Sequence, residues 1–314
     1  MPGRIQWCRG LDSHRLYGIG IEFPDAIGNG LPRSRGAALL RVLVSSRELW
    51  NGGENGIQWF HSWYTREGSC WLSAGQRDDG WYLLHFQETD FAVAPGGEQI
   101  YFHTSAGHPV EVSRQFLLNQ VIPMVMNLRG TEVIHASSVL TSQGAIVFVG
   151  NGGYGKSTLA ASLIREQSPL LSDDAVPLVV RGQQAWTSSG PPEMGLWPRA
   201  RRLLNRNDDS PNKLLVPLRA CEHQEGEFPL ARIYFLQPSD RVRNVAVKPA
   251  SGPEAFAELV RASHRLDLTD RRMLERQVNT LHQVASLVSA RTLEYPVGVP
   301  DPDPLRTAVL SDLT

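Results

Sequence analysis

Short runs of apolar, aromatic and β-branched residues, separated by polar turn signals, make up the first hundred residues. Such runs suit half-buried pleated surfaces, and Asn-Gly-Gly, Asp-Asp-Gly and Pro-Gly-Gly sequences separate them. The pattern predicts strands over residues 39–44, 57–64, 81–86, 91–94 and 99–103. We therefore expect a small β-rich domain that packs against or covers a second domain, or that docks an acceptor molecule.

The pattern changes near residue 110. Apolar residues at near-helical spacing predict a helix over residues 112–128, which Pro123 should kink or interrupt. Candidate strands follow over residues 131–140 and 145–149. The second is a continuous apolar run, which is typical of a strand buried on both faces.

Later segments continue an α/β pattern. Strands are predicted over residues 176–180, 233–236 and 291–297, and helices over residues 253–262 and 270–290. A chain of 314 residues is long for one compact domain. We predict a β-rich N-terminal domain over residues 1–105 and an α/β domain over residues 106–314.

Composition excludes some functional classes. Hydrophobic residues make up 41% and charged residues 20% of the chain, as in ordinary globular proteins, and the formal net charge is -1. The chain lacks the excess of basic residues that would favour nucleic-acid binding. We therefore interpret the basic run of Arg199, Arg201 and Arg202 as a solvated face or an anion contact. The three cysteines are far apart and form no CxxC pair, which argues against a zinc site or a disulfide framework.

The sequence also shows no pattern typical of a signal peptide or a membrane span. The N-terminus lacks a basic stretch followed by an apolar run, and no stretch approaches 18 uncharged apolar residues. We therefore expect a cytoplasmic protein without a membrane partner.

The segment GNGGYGKS matches the phosphate-loop pattern G-x-x-x-x-G-K-[ST] and lies between the buried strand 145–149 and a helical stretch. Its glycines allow backbone N–H groups to point at phosphate oxygens, Lys156 would reach the β- and γ-phosphates, and the Ser157 hydroxyl would bind Mg²⁺. The helix that follows presents its positive end to the anion. The predicted ATP-binding residues are Gly150, Asn151, Gly152, Gly153, Tyr154, Gly155, Lys156, Ser157 and Thr158.

Two further features accompany the loop. Asp173 and Asp174 follow a short apolar run, where one carboxylate could hold Mg²⁺ and its neighbour could orient or deprotonate an attacking hydroxyl. His135 lies in an apolar segment, where a histidine is more often a core residue than a catalytic one.

Taken together, HASSVLTSQGAIVFVGNGGYGKSTLAASLIREQSPLLSDDAVPL (residues 135–178) resembles the core of HPr kinase/phosphorylase. That family has a histidine, a phosphate loop and paired aspartates at similar spacings, on a P-loop fold related to phosphoenolpyruvate carboxykinase, and it phosphorylates a serine. The resemblance implies that His135 orients or tunes an active-site carboxylate, that Asp174 activates the acceptor and that Asp173 binds the metal. The two aspartate roles could be reversed.

The overall layout resembles that of divergent HPr kinase-like proteins of bacterial biosynthetic clusters, some of which modify peptide precursors at serine. By this resemblance, Glu193, Arg199 and Lys213 are candidates for phosphate or acceptor contacts, and the protein could form a homo-oligomer. A departure is PPEMGLWP over residues 191–198, in place of the family's E-[IV]-R-G segment. That departure leaves the reverse reaction, and HPr as acceptor, open.

The expected function is ATP- and Mg²⁺-dependent phosphorylation of a serine-type hydroxyl on a peptide or small protein. Two alternatives remain: a small-molecule kinase with the same core, and a nucleotide-dependent regulatory protein.

Overall fold

A computed structural model of the protein describes residues 11–45, 56–65, 67–86, 88–206, 208–298 and 301–314. The fold is mixed α/β. Contacts divide the chain into two compact units, one of residues 1–131 with 264–276 and one of residues 132–263 with 277–314.

The first unit contains one sheet, which has eight strands among the described residues. These are β1 (Leu11–Leu16), β2 (Ile19–Pro24), β3 (Leu40–Val44), β4 (Ile57–Tyr64), β5 (Cys70–Arg77), β6 (Tyr82–Phe86), β7 (Thr89–Val93) and β8 (Gln99–Thr104). Their order across the sheet is β1-β2-β3-β8-β7-β6-β5-β4, and β3 lies parallel to both of its neighbours. A short helix, α1 (Asp25–Gly28), follows β2. The five strands predicted here are confirmed, whereas β1, β2 and β5 were not predicted.

The predicted helix over residues 112–128 is present, but it changes pitch instead of breaking. Helix α2 (Val110–Phe116) runs into a π-helical turn (Leu117–Val121) and then into α3 (Ile122–Leu128). Pro123 lies in the first turn of α3. Because proline has no N–H to donate to the preceding turn, the wider π-turn accommodates it without ending the helix.

This helical segment belongs to the β-rich unit, so the division of the chain lies beyond the boundary predicted near residue 105. Phe116 stacks on Phe86 with ring centroids 4.8 Å apart. The Tyr17 hydroxyl donates to the carbonyl of Leu118. Contacts of this kind join the helices to the sheet.

The second unit contains a nine-stranded sheet and a separate two-stranded sheet within the described residues. The larger sheet comprises β9 (Glu132–Ile134), β10 (Ala136–Thr141), β11 (Gly144–Val149), β12 (Leu170–Ser172), β13 (Val176–Arg181), β14 (Gln184–Ser188), β17 (Glu227–Ser239), β18 (Ala246–Pro249) and β19 (Ser289–Pro296). The smaller pairs β15 (Glu193–Leu196) with β16 (Leu214–Pro217). Strands β11, β17 and β19 form a parallel centre.

Helices cover both faces of this sheet. They are α4 (Lys156–Ile164), α5 (Pro198–Leu203), α6 (Gly252–Ala262), α7 (Arg271–Leu287) and α8 (Asp303–Leu313). Alternate residues of β11 enter two different cores: Ile146 and Phe148 pack with α4, α5 and α8, whereas Ala145, Val147 and Val149 pack with α6 and α7. All five are buried, which confirms the prediction that this strand is covered on both faces.

The predicted strand over residues 131–140 is instead two strands with different partners. β9 pairs with β13, whereas β10 pairs with β11 and β12. The break falls at His135, whose backbone N–H donates to the carbonyl of Ala262. Each helix among the described residues is too short or too polar to span a bilayer.

Candidate functional site

The phosphate-loop sequence lies between β11 and α4, as its pattern predicts. Gly153 and Gly155 both have a φ of +85°, in the left-handed region where a side chain is disfavoured. A Cβ added at Gly152, Gly153 or Gly155 would meet no heavy atom within 4 Å. The loop is therefore glycine-rich for its backbone angles and leaves open space beside it.

Helix α4 begins at the end of this loop. Gly155 is its N-cap, no described side chain caps its first turn, and that turn holds no acidic residue. The N–H groups at a helix start have no partner within the helix and carry partial positive charge. This end of α4 is suited to binding an anion.

Lys156 is the first residue of α4, and its side chain folds back across the loop. The ammonium donates to the carbonyl of Gly150 at 2.7 Å and to that of Asn151 at 3.2 Å. Burial lowers the pKa of Lys156, although Asp174 and Asp173 act in the opposite direction. The lysine is thus a buried cation at the mouth of the loop.

Asp173 lies just beyond β12 and accepts three hydrogen bonds. The hydroxyls of Ser137 and Ser157 donate to Oδ1 at 2.5 and 2.9 Å. The backbone N–H of Gly195 donates to Oδ2 at 3.3 Å. Burial and the neighbouring charge of Asp174 raise the pKa of Asp173 to about 6, against the effect of the two hydroxyl donors.

Asp174 has an unusual backbone conformation. Its φ is 65°, in the left-handed region that few residues other than glycine adopt, although aspartate tolerates it better than most. Its Oδ2 lies 3.8 Å from the Nζ of Lys213. Strained backbone of this kind costs about 1–3 kcal/mol and is concentrated at functional sites.

Lys213 reaches Asp174 over Gly195. A Cβ added at Gly195 would lie 2.5 Å from Cε and 2.8 Å from Nζ of the lysine. Glycine at this position on β15 therefore leaves the path for the lysine side chain.

His135 contacts the aspartate pair through the backbone. Its Nδ1 lies 3.0 Å from the carbonyl oxygen of Asp174, so a proton on Nδ1 would complete this hydrogen bond. Burial and the charge of Lys156 lower the pKa of His135, which favours the neutral ring. A neutral histidine in this position fixes the backbone that carries Asp174.

No protein-family model matches the sequence, and no curated protein matches it. Among solved structures, the chain is similar to the Hpr(Ser) kinase/phosphatase from Coxiella burnetii. The TM-score is 0.36 and the sequence identity 11%, over 58% of this chain and 95% of that one. This similarity is too weak to indicate a function. The functional proposal therefore depends on the residues described above.

The donor set fits the magnesium ion that the sequence pattern implies. Ser157 and Asp173 offer a hydroxyl and a carboxylate oxygen 2.9 Å apart, and hard oxygen ligands are those that Mg²⁺ prefers. The described part of the chain holds no cluster of three or more His, Cys, Asp or Glu side chains that could enclose a metal. Mg²⁺ commonly takes one or two protein ligands and completes its shell with water and substrate phosphates.

Two residues of the site, Ser137 and Gly195, were not predicted from the sequence. Both contact Asp173, but neither belongs to a motif, and only the position of Ser137 two residues after His135 gave a signal. Tyr154 is anchored in a way that the sequence did not predict, because the Tyr295 hydroxyl donates to its carbonyl at 2.5 Å.

Within the basic run of α5, Arg199 and Arg202 are exposed, whereas Arg201 differs from the interpretation of the run as a solvated or anion-contacting face. Arg201 is buried and donates to the carbonyls of Leu196, Asp208, Ser210 and Asn212. It thereby holds the described residues of the loop that leads to β16.

Two other candidates lie close to the site in the fold. Arg199 is exposed and lines a cavity beside the phosphate loop. Glu193 lies on β15, two residues before Gly195, and is partly buried.

Proposed function

We propose that this protein is a Mg²⁺-dependent phosphotransferase that moves the γ-phosphoryl group of ATP to a serine-type hydroxyl of a peptide or small protein. The observation that carries the proposal is the hydrogen bond between the Ser157 hydroxyl of the loop and the buried carboxylate of Asp173. It joins a phosphate-loop sequence to an aspartate pair, and a simple binding loop has no need of that pair. The serine-type acceptor follows from the sequence resemblance of residues 135–178.

The residues divide the chemistry between them. Lys156 and the N–H groups at the start of α4 would bind the phosphates, and Ser157 and Asp173 would hold Mg²⁺. The ion, when bound, neutralises charge on the phosphate oxygens. His135 would keep the backbone of Asp174 in place, and the Lys213 ammonium would lie beside the transferring group.

Asp174 is the proposed base. Its carboxylate would take the proton of the acceptor hydroxyl while that oxygen forms a bond to the γ-phosphorus. The bond from the γ-phosphorus to the β–γ bridging oxygen breaks, and its electron pair leaves with ADP. Assigning the metal to Asp173 is supported by the Ser157 contact, and Asp174 is then the second carboxylate of the pair, to which the proton is assigned.

The test is transfer of label from γ-labelled ATP with Mg²⁺ to a panel of acceptors. The panel holds serine-containing peptides, an HPr-type protein and small hydroxyl metabolites, and Lys156→Ala is the control. Label on a peptide or protein serine that depends on Lys156 supports the proposal. Label confined to a small molecule keeps the reaction but replaces the acceptor. ATP binding without transfer to any acceptor would favour a nucleotide-dependent regulatory protein.

A further inference from the structure

A cavity of about 600 Å³ opens beside the phosphate loop. Gly152, Gly153, Gly155 and Thr158 form one wall, so the cavity is continuous with the start of α4. Its volume lies within the range of roughly 300–1,000 Å³ that small-molecule sites occupy. Two other cavities of similar volume occur in the described chain, but their lining residues lie outside the loop.

Apolar and aromatic side chains also line the cavity. Tyr154 and Tyr295 belong to the same hydrophobic cluster as Leu159 and Leu305, and all four line the cavity. The hydroxyl of Tyr295 is used to hold the Tyr154 carbonyl. A flat apolar group could therefore lie against walls that are fixed by packing.

Trp197 is the unusual member of this lining. It is the N-cap residue of α5 and is 57% exposed, although tryptophan is normally largely buried. Pro198 follows it at the first position of α5, which restricts the backbone of the tryptophan. An exposed indole on a restricted backbone at the edge of a cavity is suited to stacking on a flat ring.

Two charged residues of the lining match the remaining parts of a nucleotide. Arg199 and Asp301 both line the cavity and are exposed. An aspartate carboxylate accepts hydrogen bonds from ribose hydroxyls, and an arginine stabilises a nearby phosphate. The cavity thus combines aromatic walls, a hydrogen-bond acceptor and a cation next to an anion-binding loop.

We propose that this cavity binds the base and ribose of the nucleotide whose phosphates lie on the loop, with the indole of Trp197 stacking on the purine ring. The inference rests on the proposed function, because it requires the loop to bind a nucleotide. The nucleoside site lies outside the phosphate-loop pattern, and in this proposal Trp197 recognises the nucleoside.

The test compares the affinities of Mg²⁺-ATP and Mg²⁺-tripolyphosphate by calorimetry, because tripolyphosphate contacts the loop but lacks a nucleoside. Wild-type protein is expected to bind ATP more tightly. Trp197→Ala should weaken ATP binding by about 10- to 100-fold, the effect of losing one base–aromatic stack, and should leave tripolyphosphate binding unchanged. Trp197→Phe should restore most of the affinity. Trp186→Ala, which removes a tryptophan of β14 outside the cavity, is the matched control.

The outcomes separate the two proposals. Equal affinities of the wild-type protein for ATP and tripolyphosphate would overturn the nucleoside site while leaving the loop assignment intact. A loss of both affinities in Trp197→Ala would also overturn it, since the tryptophan would then act through the structure of the loop. If the wild-type protein binds neither ligand, the proposed function itself fails.

Discussion

At the scale of single residues, Asp173 combines a proposed role in metal binding with a cost in stability. Its carboxylate is buried beside Asp174, and its pKa is raised to about 6. An acid whose pKa is higher in the folded state favours folding most below its unfolded pKa of about 3.9 and loses that contribution as the pH rises through 6. At pH 8, where the carboxylate is ionised, its buried charge is therefore expected to lower the stability of the ligand-free protein.

We predict that Asp173→Asn abolishes Mg²⁺-dependent transfer without destabilising the ligand-free protein at pH 8. The neutral side chain avoids both burial of a charge and repulsion from Asp174, effects on the order of 1–3 kcal/mol. The amide nitrogen of Asn cannot accept the hydrogen bond from the Gly195 N–H, and this loss offsets part of the gain in stability. Urea unfolding of both proteins at pH 8 measures the difference. A large loss of stability would mean that the carboxylate is a structural anchor.

Gly195 is predicted to act on turnover through Lys213. The methyl group of Gly195→Ala would collide with the flexible end of Lys213, so the lysine should move away from Asp174 while the fold is kept. We expect transfer to fall by up to about 100-fold, the effect of misplacing a group in the active site. Gly252→Ala is the control, because its added methyl meets no atom within 4 Å. Transfer unchanged in Gly195→Ala would exclude a positioning role for Lys213.

At the scale of elements, a charged network joins α8 to the central sheet. Asp312 of α8 accepts hydrogen bonds from Arg232 and Tyr234 of β17 and from Arg291 of β19. Its side chain is 19% exposed. Burial raises the pKa of Asp312, but these three donors outweigh burial and lower it overall.

We predict that Asp312→Asn destabilises the protein by about 1–3 kcal/mol at pH 7, because two partly buried arginines lose their counter-charge. A carboxyl with a lowered pKa stabilises the fold above its unfolded pKa of about 3.9 and loses this contribution as the pH falls. The difference between wild type and variant should thus stay constant from pH 5 to pH 8 and shrink below pH 4. Unfolding free energies across this range provide the measurement. A difference that grows on acidification would contradict the assignment.

Element boundaries also explain where prediction from sequence failed. β11 and the loop after it were predictable, because a continuous apolar run and a glycine pattern are local signals. β15 was not, since prolines and a glycine within residues 191–198 argue against a strand. In the sequence, its partner β16 is separated from it by α5 and by the polar loop whose described residues Arg201 holds. Gly195 and Lys213 reach the aspartates only through this non-local pairing.

At the scale of the whole molecule, the residues that surround the candidate site were easier to select from the sequence than the extent of the two units. Lys156, Ser157, Asp173, Asp174 and His135 were selected from the sequence, and all five lie around one site. The extent of the β-rich unit was not predictable. Its division from the second unit depends on side-chain contacts, such as Phe116 on Phe86, that join segments distant in the chain.

The central claim is that the site transfers phosphoryl groups and does not merely bind ATP. It is tested most directly by single-turnover transfer in Asp174→Asn at saturating Mg²⁺-ATP, with ATP affinity measured on the same sample. Removing the base should slow transfer by about 10²- to 10⁴-fold and leave ATP affinity within about threefold, because Asp174 is proposed to contact the acceptor and not the nucleotide. Transfer at the wild-type rate in Asp174→Asn would contradict the account.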